Sequence, residues 1–396
     1  MKHDYSYYKE VFKSKQMPFA YVDMDMFAEN AAAIAKNAHG KNIRIASKSV
    51  RVSGLLEWLL KSNSVYKGIM CYTLPEAVFL SKRGFDDLLL GYPGWHPAQV
   101  KEVCAELKKG KIITLMIDST EHVEHLEKIG KEENCVIPVC LDIDMSSDFP
   151  GLHFGVWRSS VFSKSDAVKV AEKIKQCPHV KLEGVMGYEA QIAGLGENAP
   201  GKAAMNTIIG FLKKISTKEI AKRRTEIVLE LKKMGFQVRF VNGGGTGSMN
   251  TTGLENEVTE ITVGSGFFSP TLFDNYKDFH YKPAAAYAVE IVRQPKKGMY
   301  TALGGGYIAS GEVGLSKQPK IYFPEGAKLV GEEGTGEVQT PFVFDGKEQL
   351  KNGDPLFLRH SKAGELCERF NKVYLVSSGK ITDEIPTYRG EGNCFL

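Results

Sequence analysis

Short apolar runs alternate with amphipathic stretches of helical spacing up to residue 263. The runs that predict strands span residues 18–25, 43–48, 68–72, 87–92, 112–117, 136–143, 182–188, 237–241 and 260–263. Most are apolar nearly throughout, which is typical of parallel strands that helices cover on both faces. About eight strands, nearly all followed by helices, predict an α/β fold of the TIM (β/α)8 barrel type. The alternative, an open doubly wound sheet, predicts a dinucleotide loop after the first strand, which this sequence lacks.

The pattern changes after about residue 280, where short strand-like runs separated by Gly, Pro and Asp replace the helical spacing. These runs span residues 289–293, 299–303, 319–323, 327–330, 336–341, 355–359 and 373–377. They predict a C-terminal all-β domain. We therefore assign residues 1–280 to the barrel and 281–396 to the β domain, with residues 1–25 as a segment that could pair with the β domain instead.

Composition and charge argue against several classes of partner. The 396 residues carry a net charge of +4 and no basic stripe with interleaved aromatic residues, so we expect no nucleic-acid partner. No apolar run reaches the ~18–20 residues of a membrane helix, so we expect no membrane partner. The seven cysteines are scattered without a Cys-x-x-Cys pair, which indicates a reducing, cytoplasmic location and no structural zinc site.

Lys48 ends the strand-like run that begins at Ile43. The carboxyl ends of barrel strands face the active site, where partial desolvation makes a lysine amine nucleophilic toward an aldehyde. We therefore predict that Lys48 forms a Schiff base with pyridoxal phosphate. A surface lysine at a strand end is the alternative that this stretch alone leaves open.

A glycine-rich loop, Asn-Gly-Gly-Gly-Thr-Gly-Ser at residues 242–248, directly follows a predicted strand. It lacks the glycine and lysine positions of the dinucleotide and P-loop fingerprints. Barrels commonly bind phosphate after their seventh and eighth strands, and this strand is the seventh of the predicted barrel. The loop is therefore a candidate phosphate site, which Gly264-Ser265-Gly266 after the eighth strand could complete. A flexible turn is the alternative.

Together these parts resemble the fold-type III pyridoxal phosphate enzymes with an alanine racemase-like barrel, in particular the D-threonine aldolase and D-serine dehydratase branch. The resemblance rests on the order and spacing of several motifs: the strand at 18–25 with Asn30, Arg44-x-x-x-Lys48, Leu-Pro-Glu-Ala at 74–77, the run at 84–90, Gly187-Tyr188-Glu189 and Gly-Gly-Gly-Thr-Gly at 243–247.

The resemblance implies a site that holds pyridoxal phosphate in a homodimer whose subunits pack head to tail. Its members place the cofactor on the lysine that matches Lys48 and its phosphate on the glycine loop. The implied cofactor-binding residues are Lys48, Arg44, His153, Tyr188, Gly244, Gly245, Thr246, Gly264, Ser265, Gly266 and Tyr276.

Two departures from the branch concern the substrate side and the cofactor ring. Relatives hold a divalent metal with His-x-Cys or His-x-Asp, but the corresponding run here contains His360 and Lys362, and a lysine cation is no metal ligand. We therefore expect no metal, although His360 and Cys367 form a weak His-x6-Cys spacing. His360 and Lys362 instead become candidates for binding a substrate carboxylate or for acid–base catalysis. Their alternative role is that of surface polar groups.

The second departure is His153, which stands where relatives have an arginine near the pyridine nitrogen. A histidine there would change how the ring draws electrons, and a packed bystander is the alternative. From the resemblance we predict a pyridoxal phosphate-dependent lyase, an aldolase or dehydratase (deaminase) that acts on a β-hydroxy D-amino acid. A racemase is the enzymatic alternative. A non-catalytic pyridoxal phosphate-binding protein and a TIM-barrel enzyme without this cofactor are the others.

Overall fold

The computed structural model describes residues 3–311 and 314–396. The elements up to residue 144 are α1 (Tyr5–Val11), β1 (Phe19–Asp23), α2 (Met24–Lys36), β2 (Asn42–Ala46), α3 (Ser53–Ser62), β3 (Tyr66–Cys71), α4 (Leu74–Lys82), β4 (Leu88–Leu90), α5 (Pro97–Leu107), β5 (Ile113–Ile117), α6 (Thr120–Glu133) and β6 (Ile137–Asp144). The next are β7 (Ser147–Phe149), β8 (Leu152–Phe154), α7 (Lys164–Lys175), β9 (Val180–Tyr188), α8 (Ala190–Ala193), α9 (Ala203–Lys233), β10 (Phe240–Gly243), α10 (Met249–Thr252) and β11 (Glu260–Val263). The last are α11 (Ser265–Phe268), β12 (Ala285–Lys296), β13 (Met299–Leu303), β14 (Lys320–Phe323), β15 (Lys328–Leu329), β16 (Gln339–Val343), β17 (Pro355–Arg359), β18 (Lys372–Ser377) and β19 (Lys380–Pro386).

Eight parallel strands close into a barrel in the order β10-β11-β2-β3-β4-β5-β6-β9. Every residue of β4, β5, β10 and β11 is buried. The residues of β4 and nearly all those of β5 are apolar, as expected of strands covered on both faces, whereas the buried polar Asn242 of β10 donates to Glu260 and Thr262 of β11. The closed barrel confirms the predicted TIM fold and excludes the open sheet. The barrel strands begin within two residues of their predicted starts except β10, which begins at Phe240 rather than at residue 237. Gly243 of β10 pairs with Gly187 and Ile261.

The chain forms two compact units. The barrel unit contains residues 34–48, 57–264 and 395–396, and the second unit contains residues 49–56, 265–394 and the described residues up to Ala33. In the second unit β1 lies between two strands from distant parts of the sequence. It pairs antiparallel with β12, where Phe19 faces Ala288, and parallel with β18, where Ala20 faces Val373.

The second unit is built on a sheet in the order β15-β16-β13-β12-β1-β18-β19, with β17 joining β12 to β14. A C-terminal all-β domain was predicted, and the antiparallel sheet confirms it. Aromatic side chains of α1, β1 and β17 fill its core, among them Tyr8, Tyr21 and Phe357, each at most 1% exposed. Within the described part of the chain, no helix has both the length and the apolar character needed to cross a membrane.

Candidate active site

Lys48 lies at the carboxyl end of β2, in the 3-10 turn Ser47–Ser49. Buried Ile43 and Ile45 fix the strand in the barrel wall, and the Ser47 hydroxyl donates to the Met70 carbonyl at 2.9 Å, which anchors the turn. The Lys48 side chain is half-buried, and its Nζ donates to the phenolic oxygen of Tyr92 at 2.9 Å. The predicted nucleophile therefore has a proton-handling group within hydrogen-bond distance.

Tyr92 follows β4 and lies between two cations. Lys48 Nζ is 5.3 Å from the centre of its ring, and the Arg158 guanidinium carbon is 5.0 Å from it on the same measure. Burial opposes ionisation of the phenol, but Lys48 and Arg158 outweigh it, so the pKa of Tyr92 lies below the usual 10. A phenol of lowered pKa beside an amine can exchange a proton with it.

Arg158 is held by two acceptors at the carboxyl ends of the strands. Its Nε donates to Asp142 at 2.8 Å, and its Nη2 donates to the Gly91 carbonyl at 2.6 Å. Burial raises the pKa of Asp142 to about 7, although the adjacent guanidinium opposes this. The guanidinium also lies 5.8 Å from the Tyr188 ring. Arg158 is thus a fixed cation beside Tyr92 and Tyr188.

The glycine loop leaves β10 in a conformation that needs glycine. Gly244 has φ +72°, and a Cβ on Gly245 would lie 3.1 Å from the Ala193 Cβ and 3.2 Å from the Tyr188 ring. Thr246 begins a 3-10 turn that leads into α10 and is only 6% exposed. The loop backbone therefore packs directly beneath Tyr188, whose pKa burial raises to about 12.

Glu189, the residue after β9, holds this loop. It is fully buried and accepts from the Gly244 N–H at 3.2 Å, from the Ser248 hydroxyl at 3.0 Å, and from Thr252. Arg224 of α9 donates to it at 3.0 Å, and both side chains are fully buried. Arg224 also pairs with Glu255. A buried ionic network thus fixes the shape of the loop from below.

The side chain of Arg44 is buried in the barrel, where it forms hydrogen bonds and ion pairs with residues of other strands and loops. Its guanidinium donates to Glu260 at 2.7 and 3.0 Å and to the Asp87 carbonyl at 2.7 Å, with the Asp87 carboxylate at 3.2 Å. Glu260 begins β11 and Asp87 precedes β4, so the guanidinium lies toward the amino ends of the strands, away from Lys48. The predicted contact of Arg44 with the cofactor stays a prediction.

His153 lies in the small hairpin of β7 and β8. Its Nδ1 is 2.8 Å from the Asp148 carboxylate, and its ring stacks on Trp157 at 3.7 Å, which is 86% exposed. The structure thus places Arg158, not His153, beside Tyr92 and Tyr188. The predicted contact of His153 with the cofactor stays a prediction.

The remaining phosphate candidates divide between the two units. Gly264 follows β11 in the barrel unit, whereas Ser265 and Gly266 belong to α11 in the second unit. The Ser265 hydroxyl lies 3.2 Å from that of Ser49. Tyr276 is 4% exposed and packs against Phe273 and Phe279.

His360 and Lys362 line one cavity of the second unit. His360 is 3% exposed, and burial with help from Arg359 lowers its pKa to about 3, so the imidazole is neutral. Its ring is near the Ala285 backbone, but among the described residues neither nitrogen forms a hydrogen bond of ordinary geometry. Lys362 donates to the Ser310 hydroxyl at 2.9 Å.

The sequence analysis did not identify Tyr92, Arg158 or Arg224 as site residues. It named Glu189 only as part of a motif and gave it no role. A signal existed for Tyr92, because it ends an apolar run at a strand's carboxyl end, as Lys48 does. Arg158 and Arg224 lie 14 residues after β6 and within α9, where nothing in the pattern distinguishes them from surface arginines.

The chain is similar to a known domain family and to known enzymes. The profile of the alanine racemase N-terminal domain matches residues 22–266. The 3-hydroxy-D-aspartate aldolase of Paracoccus denitrificans (strain Pd 1222) is 24% identical over 251 residues, a match that covers 61% of this chain and 58% of the relative's length.

Two solved structures cover nearly the whole chain. The D-threonine aldolase of Filomicrobium marinum superposes with a TM-score of 0.79 at 14% identity, covering 95% of this chain and 96% of its own. The D-threo-3-hydroxyaspartate dehydratase of Delftia sp. HT23 gives 0.75 at 17% identity, covering 95% and 98%. At these identities the likeness shows the fold.

Proposed function

Because the chain belongs to the alanine racemase N-terminal domain family of fold-type III pyridoxal phosphate enzymes, we propose that it is a pyridoxal phosphate-dependent lyase. Its substrate would be a β-hydroxy D-amino acid, which it would cleave as an aldolase or dehydrate as a deaminase. Lys48 beside Tyr92 at the end of a barrel strand is the observation that carries the proposal. The names of the similar proteins, two of which act on 3-hydroxyaspartate, support the substrate class.

The residues of the barrel unit fit the cofactor. Lys48 follows β2 and the glycine loop follows β10, and only β11 lies between these strands. Their carboxyl ends are therefore roughly 10 Å apart across the sheet. That separation suits a small ring held by an amine at one end and by its phosphate at the other. Lys48 would bind the aldehyde carbon, and the loop around Gly245 and Thr246 would take the phosphate.

When bound, pyridoxal phosphate accepts electron density from the bond that breaks at the substrate Cα. The residues of this chain would supply position and proton transfer. Lys48 must be neutral to attack a carbonyl, and the Tyr92 oxygen, 2.9 Å away, can take its proton. Arg158, fixed by Asp142 and Gly91, would present a permanent positive charge to the ring side of the site. Glu189 and Arg224 would keep the loop in its phosphate-binding shape.

The expected reaction is tested by offering D- and L-forms of serine, threonine, alanine and 3-hydroxyaspartate to the purified protein. Glycine, keto acid and enantiomer are followed together, so that aldol cleavage, dehydration and racemisation each give a distinct product. We expect glycine or a keto acid from a β-hydroxy D-amino acid. Turnover of alanine enantiomers alone would instead establish a racemase.

Covalent binding of the cofactor is tested separately. We expect an absorbance band near ~420 nm that borohydride abolishes and that Lys48→Ala lacks, because the lysine amine carries the bond. A protein without this band would contradict the cofactor assignment. A band without turnover of any amino acid would favour a pyridoxal phosphate-binding protein without catalysis.

A further inference from the structure

A cavity of about 330 Å³ lies within the second unit, beside β17. A loop at residues 307–310 forms one wall, and residues 360–362 after β17 form another. The 3-10 turn Glu365–Glu368 with Arg369, and Arg389 near the end of the chain, complete the lining. This volume lies at the lower end of the range of about 300–1,000 Å³ that is typical of small-molecule sites, and therefore suits a small ligand.

The lining contains two carboxylates, and both already have partners. They therefore do not neutralise the arginines that also line the cavity. Glu365 accepts from the Ser310 N–H at 2.9 Å and lies 3.6 Å from Lys362. Glu368 accepts from Arg51 at 2.5 Å. In contrast, Arg369 and Arg389 line the cavity without a carboxylate partner in the part of the chain that the structure describes. The Arg369 guanidinium instead lies 5.7 Å from the Tyr307 ring.

His360 adds an unsatisfied polar group to the same cavity. Its side chain is 3% exposed and lies near the Ala285 backbone, but neither ring nitrogen forms a hydrogen bond of ordinary geometry among residues 3–311 and 314–396. Buried polar groups in native proteins are nearly always hydrogen-bonded. A neutral imidazole can donate from one nitrogen, so a ligand oxygen in the cavity would satisfy it.

A divalent metal does not fit these donors. Among the described residues of the lining, the His360 imidazole is the one metal-ligating side chain without a hydrogen bond of ordinary geometry or an ion pair, and the surrounding guanidinium and ammonium groups repel a cation. Within the described residues there is no group of three His, Cys, Asp or Glu side chains placed to hold a metal ion.

We propose that this cavity binds a small carboxylate, held by Arg369 and Arg389 with a hydrogen bond from His360. Guanidinium groups present paired N–H donors that match the two oxygens of a carboxylate. The cavity lacks the glycine backbone of a phosphate loop, which in this chain belongs to the barrel unit. Lys362 can add a third cation by leaving Ser310.

Malonate is the probe, titrated calorimetrically into the full-length protein at ionic strength held constant with chloride. We expect one site per chain, and Arg369→Gln and Arg389→Gln each to weaken binding by about tenfold or more, because a charge-assisted hydrogen bond is lost. Arg293→Gln is the matched control: this exposed arginine of β12 lies outside the cavity, so malonate affinity should change by less than about twofold.

Three further titrations, of Lys48→Ala with malonate and of the natural chain with phosphate and with Mn²⁺, test the proposal against its alternatives. Lys48→Ala should bind malonate as the natural chain does, so that a failed lyase assay and a failed carboxylate site are separate results. Absence of malonate binding, or binding that neither arginine variant weakens, would overturn the proposal. So would inorganic phosphate that binds more tightly than malonate through the same arginines, or a 1:1 Mn²⁺ complex that His360→Ala abolishes.

Discussion

Lys48 and Tyr92 share a hydrogen bond of 2.9 Å at the carboxyl ends of β2 and β4, two barrel strands that are separated by β3. The contact joins the Lys48 amine, which the sequence analysis predicted as part of the site, to the Tyr92 phenol, which it did not. Because Lys48 and Arg158 lower the pKa of Tyr92 against the effect of burial, the pair can redistribute one proton without a solvent molecule. Transfer from the ammonium to the phenolate gives a neutral amine and a neutral phenol, which is the state of Lys48 that attacks a carbonyl.

Tyr92→Phe should therefore slow cofactor uptake at neutral pH by about tenfold to a hundredfold. In the natural chain the rate should rise with pH through the lowered pKa of Tyr92, and in the variant this rise should move to higher pH. The measurement is the pH dependence of the growth of the cofactor band when pyridoxal phosphate is added to apoprotein. Tyr300→Phe, in the β-domain strand β13, is the control and should keep the natural profile. An unchanged profile in Tyr92→Phe would make its phenol a bystander.

Glu189→Gln should destabilise the protein and loosen the phosphate loop. Glu189 and Arg224 form an ion pair that is fully buried, and removal of one partner of such a pair costs about 3–5 kcal/mol. We expect a lower free energy of unfolding in urea and a weaker affinity for pyridoxal phosphate in equilibrium dialysis. The control is Glu226→Gln, an exposed partner of Lys222 on the same helix as Arg224, which should change stability by less than about 0.5 kcal/mol. Equal effects of the two variants would contradict the role given to Glu189.

The barrel, and the positions of Lys48 and the glycine loop after strands, could be predicted because each depends on residues that are close together in the sequence. A strand buried on both faces carries mostly apolar residues, as β5 does, and the positive φ at Gly244 favours glycine there. The neighbours of Lys48 are set by tertiary packing instead. Tyr92 follows a strand of only three residues, and Arg158 reaches Asp142 across 16 positions that include the β7–β8 hairpin. Periodicity does not show which of several basic residues will turn toward the strand ends.

The side-chain directions of His153 and Arg44 show the same limit, while their predicted contacts with the cofactor stay predictions. The resemblance put His153 at the position of an arginine in relatives; in the structure His153 pairs with Asp148, and Arg158 donates to the Gly91 carbonyl after β4. Arg44 lies in β2, just before the turn that carries Lys48, but its side chain extends toward Glu260. Sequence order could not reveal either direction.

Substitutions of Arg158 and of His153 distinguish the roles of these two residues. Arg158→Lys should lower kcat/KM by about tenfold or more and shift the absorbance maximum of the bound cofactor, because lysine cannot reproduce the paired contacts to Asp142 and Gly91. His153→Ala should leave both within about twofold, since its partners lie in the hairpin. Steady-state kinetics and absorbance spectra of the two variants give the answer. The reverse ranking would restore His153 as the ring-side group.

Removal of metal ions tests whether this protein, with Lys362 where the branch has a metal ligand, works without a metal. We expect turnover of the best β-hydroxy D-amino acid to stay within about twofold after dialysis against a chelator, and not to rise with Mn²⁺ or Zn²⁺, because Lys362 stands at the second ligand position. Loss of turnover that only a divalent cation restores would contradict this expectation.

Asp142 gives the protein a stability term that depends on pH. Its pKa is about 7 in the folded protein, so the folded state keeps a proton that the unfolded chain releases near pH ~4. Since the folded state binds more protons over this interval, the free energy of unfolding from this group should fall as pH rises from about 4 to 7, by roughly 4 kcal/mol. Urea unfolding of the natural chain and of Asp142→Asn at several pH values measures the difference. The variant cannot release this proton, so its stability should decline less across the interval. Parallel curves for the two proteins would show that Asp142 is ionised throughout, with Arg158 outweighing its burial.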